Sequence, residues 1–90
     1  MDLDKIREQI DAIDSQILEL FCRRMDVVKG VVEYKIANDM PVLRPEREKA
    51  ILDRVKADAG QEYGDYAADL FENMMRVSRE MQQKMIDEAK

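Results

Sequence analysis

Residues 2–37, with the sequence DLDKIREQIDAIDSQILELFCRRMDVVKGVVEYKIA, decide the fold of this 90-residue chain. The stretch contains no proline and a single glycine, Gly30, and its apolar residues recur at alternating spacings of three and four. That spacing places them on one face of a helix. This apolar stripe consists of Leu3, Ile6, Ile10, Ile13, Ile17, Leu20, Val27, Val31 and Tyr34. The pattern predicts one very long helix, about 54 Å at a rise of about 1.5 Å per residue.

A helix of this length exceeds what a small domain can cover. A compact domain of this size has a radius of gyration of about 12 Å and a diameter of about 30 Å. Two shorter helices of the same chain cannot bury the whole apolar stripe. The simplest explanation is that a second copy of the chain buries the rest of it. The sequence therefore predicts an intertwined helical homodimer, and the alternative is a stripe that stays exposed to solvent.

Two further segments of the chain are also expected to be helical. The second begins near Pro45, a residue suited to the first helical position, and stops before Gly60, a natural residue to follow a helix. The third begins after Asp65, a good N-cap, and runs close to the C-terminus. Residues 38–44 and 60–65 are the expected connections. We thus predict an all-α fold of three helices, forming a single domain over residues 1–90.

Composition excludes several classes of protein. Apolar residues make up 46% of the chain and charged residues 39%, and the net charge of −5 disfavours nucleic-acid binding. No apolar run reaches the roughly 18 residues of a membrane span, and the charged N-terminus does not resemble a signal peptide. The single Cys22 is consistent with a reducing compartment, so a cytoplasmic location is expected.

The chain contains no histidine, which limits its possible chemistry. Catalysis by Ser–His or Cys–His pairs is excluded, and no Cys/His cluster is available for zinc. We therefore expect no metal and no cofactor.

A cationic residue interrupts the apolar stripe of the long helix at one position. The apolar stripe calls for an apolar residue at position 24, where the sequence has Arg24. A buried guanidinium requires an anionic partner; the alternatives are an ion pair in the core or a side chain that reaches out to solvent. Lys35 follows eleven residues later, about 16 Å along nearly the same face, with Val28 and Val31 between them. Taken alone, Lys35 is also consistent with a solvated lysine.

Several other polar residues indicate a binding site only when they are considered together. Arg7 lies about 25 Å before Arg24, so it cannot share a pocket with Arg24 of its own chain, although it could serve a partner's pocket. Ser78 and Gln82 are four residues apart on one helix face, and Glu48 belongs to the apolar face of the second segment. Each is also consistent with an ordinary structural or surface role. Together with Arg24 and Lys35 they predict an apolar cavity that binds a small polyanion bearing hydroxyl or ether oxygens.

Four stretches carry a family resemblance. They are IREQIDAID (6–14), RRMDVVKGVVEYK (23–35), PVLRPEREKAI (41–51) and SREMQQ (78–83). In this order and at these separations the chain resembles the all-helical, AroQ-type chorismate mutases over essentially its whole length. The resemblance implies a homodimer with two composite active sites, each taking Arg7 from one protomer and its other residues from the second protomer.

The resemblance also implies how the substrate carboxylates are bound. Arg7 and Arg24 would bind the two carboxylates of chorismate, and Arg47 is placed to help. Ser78 would assist at the ring carboxylate. Arginine suits this task because its planar guanidinium binds a carboxylate through two hydrogen bonds.

The remaining implied roles concern the ether oxygen and the ring hydroxyl. Lys35 and Gln82 would donate hydrogen bonds to the ether oxygen whose bond breaks, and Glu48 would hold the ring hydroxyl. One position departs from the family pattern: several relatives carry Asp where this chain has Arg44. Arg44 could reach the substrate from the loop or pair with Glu48.

The implied reaction is the Claisen-type rearrangement of chorismate to prephenate, in the biosynthesis of phenylalanine and tyrosine. It is concerted and needs no nucleophile, general base or metal, so it suits a chain without histidine. Three alternatives stay open from the residues: an isochorismate-pyruvate lyase of the same fold, a non-catalytic helical dimerisation module, and a domain that senses an aromatic-pathway metabolite without turnover.

Overall fold

The computed structural model describes residues 2–90, and its regular elements are two helices. Helix α1 spans Leu3–Ala37 and helix α2 spans Pro45–Glu88. The all-α prediction is confirmed, because no strand occurs within the described residues. The prediction of three helices is wrong, since Pro45–Glu88 counts as one helix that is interrupted only at Gly60.

Helix α1 follows the boundaries expected from its sequence to within one residue. Asp2 caps it: the carboxylate accepts hydrogen bonds from the backbone N–H of Asp4 at 3.0 Å and of Lys5 at 3.4 Å. These bonds satisfy amides that have no partner inside the helix. Residues 38–44 form the expected connection to α2, which begins at Pro45.

Helix α2 is long but not straight. In a straight helix Glu48 and Arg79 would lie about 46 Å apart, yet their side chains form an ion pair. The backbone leaves the helical conformation at Gly60, where φ is +83° and ψ is 179°. This left-handed conformation is open to glycine at little cost. The chain therefore reverses direction at Gly60, and α2 consists of two arms, residues 45–59 and 61–88.

Close packing beside Gly60 replaces the loop expected over residues 60–65. A Cβ on Gly64 would lie 2.8 Å from the backbone oxygen of Lys56, so only glycine allows the two arms this approach. The Lys56 ammonium also forms a salt bridge of 2.9 Å with Asp65. The predicted role of Asp65 as an N-cap is therefore wrong: helical structure resumes directly after Gly60, and Asp65 lies inside the second arm.

The chain is elongated and its own core is small. It measures 55 × 27 × 15 Å, and its radius of gyration is 16.3 Å, against about 12 Å for a compact domain of this length. The buried apolar side chains are Val32, Ile51 and Met75. Most of the apolar stripe is exposed, and Ile10, Ile13, Ile17, Leu20, Val27 and Tyr34 each expose half or more of their surface. Neither helix combines the length and hydropathy that crossing a membrane requires, as far as the described residues go.

Candidate active site

A cleft of about 360 Å³ lies between α1 and both arms of α2. It exists because the reversal at Gly60 brings the start of α2 and residues 75–82 together against residues 24–35 of α1. Val28 and Val31 contribute apolar surface between Arg24 and Lys35, as the helical spacing predicts. Six of the seven predicted site residues line the cleft: Arg24, Lys35, Arg47, Glu48, Ser78 and Gln82.

Three of these polar residues form a buried hydrogen-bonded chain. Lys35, Ser78 and Gln82 are 7%, 4% and 6% exposed. Lys35 Nζ donates to Gln82 Oε1 at 2.7 Å and to the backbone oxygen of Val42 at 2.9 Å. Gln82 Nε2 donates to Ser78 Oγ at 3.1 Å. A surface role, which sequence alone also allowed for Gln82 and Ser78, is therefore not what the structure shows.

The hydrogen bonds among Lys35, Gln82 and Ser78 determine which N–H groups stay free to bind a ligand. An ammonium only donates, so the Gln82 oxygen must face Lys35 and the Gln82 nitrogen must face Ser78. Lys35 Nζ has three N–H groups, of which these bonds use two, and Gln82 Nε2 has two, of which one is used. One N–H on each residue is therefore left to donate to a ligand in the cleft.

The surroundings of Lys35 also act on its charge. Burial lowers the pKa of Lys35 below its ordinary value, and the nearby Arg44 guanidinium lowers it further. The Glu48 carboxylate acts in the opposite direction, because it favours the charged ammonium. A bound anion would restore the preference for the charged form.

Arg24 presents an unsatisfied buried group. Its Nη1 atom is buried and has no hydrogen-bond partner among residues 2–90. Leaving a charged donor buried without a partner costs more than leaving a neutral one, and native structures rarely do so. The core ion pair that sequence alone allowed does not form at Nη1. An anionic ligand in the cleft would supply the missing acceptor.

Glu48 forms a contact that the sequence did not reveal. Its Oε1 accepts a short hydrogen bond from Arg79 Nη1, and both side chains are partly buried. Arg44, the expected pairing candidate, lines the cleft without forming this pair. The sequence did indicate that Arg79 shares a helix face with site residues, because it lies four residues after Met75 and three before Gln82.

The cleft is a positive region in a negative chain. Its lining includes five cationic side chains and one carboxylate, whereas the net charge of the chain is −5. The cations are Arg24, Lys35, Arg44, Arg47 and Arg79. A cleft lined mainly by one sign of charge concentrates ions of the opposite sign.

Arg7 lies outside this cleft. Arg7 is exposed on α1, and it lies about 25 Å before Arg24 along the helix axis. Between them runs a second, mainly apolar groove of about 680 Å³, lined by Ile17, Leu18, Phe21, Leu70, Phe71 and Met74 among others. Arg24 borders both cavities, so the groove and the cleft adjoin.

The fold and the cleft together define an all-helical protein with a site for a small anionic molecule. The chain matches the family described as chorismate mutase type II over residues 6–83. It is 32% identical over 89 residues to a chorismate mutase of Methanocaldococcus jannaschii, which covers 97% of this chain and 90% of that protein. The chain belongs to the chorismate mutase type II family.

The chain is also similar to two proteins that it matches over only part of their length. The chain is 34% identical over 74 residues to the T-protein of Haemophilus influenzae, covering 82% of this chain but only 19% of that protein. It therefore spans about a fifth of T-protein's length. It is also 30% identical over 53 residues to a 4-amino-4-deoxychorismate mutase of Streptomyces venezuelae, with 59% of this chain and 52% of that protein covered.

Proposed function

We propose that this chain is a chorismate mutase, which converts chorismate to prephenate. The observation that carries the proposal is the unpartnered, buried Nη1 of Arg24 in a cleft where Lys35 and Gln82 each retain an N–H for a ligand. A dianionic enol ether supplies an acceptor for each of these donors. Membership of the chorismate mutase type II family supports the same substrate.

Binding would rest on the arginines. In this proposal Arg24 binds one carboxylate of chorismate and Arg47 assists from the first turn of α2, whose free backbone N–H groups also favour an anion. Ser78 would contact the ring carboxylate. Arg7 of the partner subunit would bind the second carboxylate, because Arg7 cannot reach the cleft of its own chain.

Catalysis would come from positioning and from electrostatic stabilisation. The rearrangement requires the enolpyruvyl side chain to lie over the ring, and a closely fitted cleft holds this conformation in advance. As the C–O bond breaks, negative charge develops on the ether oxygen. The free N–H groups of Lys35 and Gln82 would stabilise that charge, and their mutual hydrogen bond keeps both donors in place.

The proposed homodimer explains the unusual surface of the single chain. Exposed apolar side chains run along α1, and the apolar groove beside Arg24 is open in the single chain. A second copy that covers the stripe and fills the groove would bring its own residues next to Arg24. In this proposal residues 1–90 form one domain, and two such domains complete two sites.

Product analysis tests the function and separates the alternatives. The chain is incubated with chorismate and, separately, with isochorismate, and the products are identified by NMR. Prephenate from chorismate supports the mutase, whereas pyruvate from isochorismate would identify a lyase. Binding of chorismate without turnover would indicate a sensor, and the absence of binding would indicate a dimerisation module.

The substituent at ring position 4 distinguishes two possible substrates within the family. Chorismate carries a hydroxyl there, whereas 4-amino-4-deoxychorismate, for which some relatives are named, carries an amine that is protonated at neutral pH. We propose that Glu48 holds this substituent. Glu48 is the one carboxylate that lines the cleft, and the ring hydroxyl is the one hydrogen-bond donor of the chorismate dianion.

A further inference from the structure

The Glu48 carboxylate is already partly neutralised by the protein itself. Arg79, on the second arm of α2, donates from Nη1 to Glu48 Oε1. The two side chains are 29% and 22% exposed, so solvent screens this ion pair less than the surface pairs of the same chain. The second carboxylate oxygen of Glu48, Oε2, can accept a hydrogen bond from a ligand.

Other cations lie around the same carboxylate. Arg44 and Glu48 both act on the pKa of Lys35, so both lie within electrostatic range of Lys35. Arg44 and Arg79 both line the cleft beside Glu48. A ligand group placed at Glu48 therefore shares the cleft with Lys35, Arg44 and Arg79, and Arg79 already pairs with the carboxylate.

A neutral hydroxyl and an ammonium respond differently to these surroundings. The hydroxyl donates to Glu48 Oε2 and carries no net charge, so the nearby cations cost it little. The ammonium also donates, but it is repelled by Arg79, Arg44 and Lys35, and Glu48 has less negative charge left to offset that repulsion. Like charges at short range in a partly buried site are strongly unfavourable.

We propose that Arg79 determines specificity: by pairing with Glu48 it makes this end of the cleft select a substrate with a neutral ring hydroxyl and reject one with an ammonium at the same position. This inference rests on the proposed function, because it takes chorismate as the substrate and Glu48 as the contact of the ring substituent. Arg79 is a positioning and charge-balancing residue that acts through Glu48.

Competition between two substrates tests this role. We would measure kcat/KM for chorismate and for 4-amino-4-deoxychorismate with the wild-type protein and with Arg79→Met, Arg79→Gln and Arg79→Lys. The ratio of the two values is taken on one protein sample, so a change in the active fraction cancels. Arg76→Met is the matched control, because Arg76 lies one turn earlier on the same helix and pairs with Glu80 in solvent.

The wild-type protein is expected to prefer chorismate by about 100-fold or more. Arg79→Met and Arg79→Gln should shift the ratio toward the amino substrate by about tenfold or more, because Glu48 then carries its full charge. Arg79→Lys and Arg76→Met should keep the wild-type ratio.

An unchanged ratio in Arg79→Met and Arg79→Gln would overturn the inference while leaving the mutase activity standing. A wild-type protein that turns over the amino substrate as well as chorismate would overturn it too. If the wild-type protein forms no prephenate, the proposed function itself fails, and the inference fails with it.

Discussion

Replacing Gln82 by glutamate tests whether this side chain acts as a hydrogen-bond donor in catalysis. Gln82 is 6% exposed, accepts from Lys35 Nζ at 2.7 Å and donates to Ser78 Oγ at 3.1 Å. An amide donates at every ordinary pH, whereas a carboxyl group donates only when protonated. With an ordinary glutamate pKa of about 4.3, about one carboxyl in 500 carries its proton at pH 7.

We therefore expect kcat/KM of Gln82→Glu to lie about 100-fold or more below the wild-type value at pH 7. It should rise about tenfold for each unit of decrease in pH, until the pH approaches the pKa of the new carboxyl. Burial raises the pKa of this carboxyl and the Lys35 ammonium lowers it. These effects move the midpoint of the profile but leave its direction unchanged.

The assay is the initial rate of chorismate loss between pH 5 and pH 8, a range of about three units around the expected rise. Gln83→Glu is the matched control, because Gln83 is exposed, next in sequence, and donates to Asp87 instead of into the cleft. The control should keep the wild-type profile. A Gln82→Glu profile as flat as that of the wild-type protein would refute the donor role of Gln82.

Three further predictions concern the charge of Lys35, the composite site and the packing of α2. Because the pKa of Lys35 lies below the ordinary lysine value of 10.5, its ammonium loses its charge before the pH rises to that value. We expect kcat/KM to fall over the same pH range and Lys35→Arg to move the fall to higher pH. An identical pH profile for the two proteins would contradict a role of the Lys35 charge in binding the substrate. Inactive Arg7→Ala and Arg24→Ala proteins, mixed under conditions of subunit exchange, should regain up to about a quarter of wild-type activity, because half of the dimers then contain one intact site; no recovery in mixtures shown to exchange would contradict a composite site. Gly64→Ala should lower the free energy of unfolding in urea by about 2 kcal/mol through its clash with backbone, whereas Gly30→Ala, with open space at its Cβ, should raise it by about 0.5–1 kcal/mol; equal effects of the two substitutions would contradict the close approach of the α2 arms.

Local sequence patterns predicted α1 and the start of α2 well. The alternating spacing of apolar residues acts within a few residues along the chain, so it located α1 to within one residue. Pro45 fixed the start of α2 for the same reason. The path of the chain at Gly60 was not predictable from spacing. A glycine with positive φ can end a helix or reverse the chain, and the reversal seen here is accompanied by a close approach of Gly64 to Lys56 that spacing does not reveal.

For the site, too, the sequence predicted relations within one helix but not contacts between helices. Arg24 and Lys35 were found because both lie on one helix, where their spacing fixes their relation. Ser78 and Gln82 were found as a pair for the same reason, but the hydrogen bond from Lys35 to Gln82 depends on how α2 packs on α1. Arg79 was missed because its partner Glu48 is 31 residues away, and they meet only where α2 folds back.

The exposed apolar stripe is the part of the structure that a single chain does not explain. The sequence predicts that a second copy covers it, and the small core of Val32, Ile51 and Met75 is consistent with that view. The dimer remains a prediction, as does the role of Arg7, which lies outside the cleft of its own chain. Both depend on contacts that only a second copy can supply.

The most direct test of the central claim is the conversion of chorismate by the wild-type protein and by Arg24→Ala, followed by NMR at equal protein concentrations. We expect the wild-type protein to form prephenate as its product, and kcat/KM of Arg24→Ala to be about 100-fold or more lower, because the buried guanidinium then no longer binds the substrate carboxylate. Failure of the wild-type protein to form prephenate, or equal rates for the two proteins, would contradict the account.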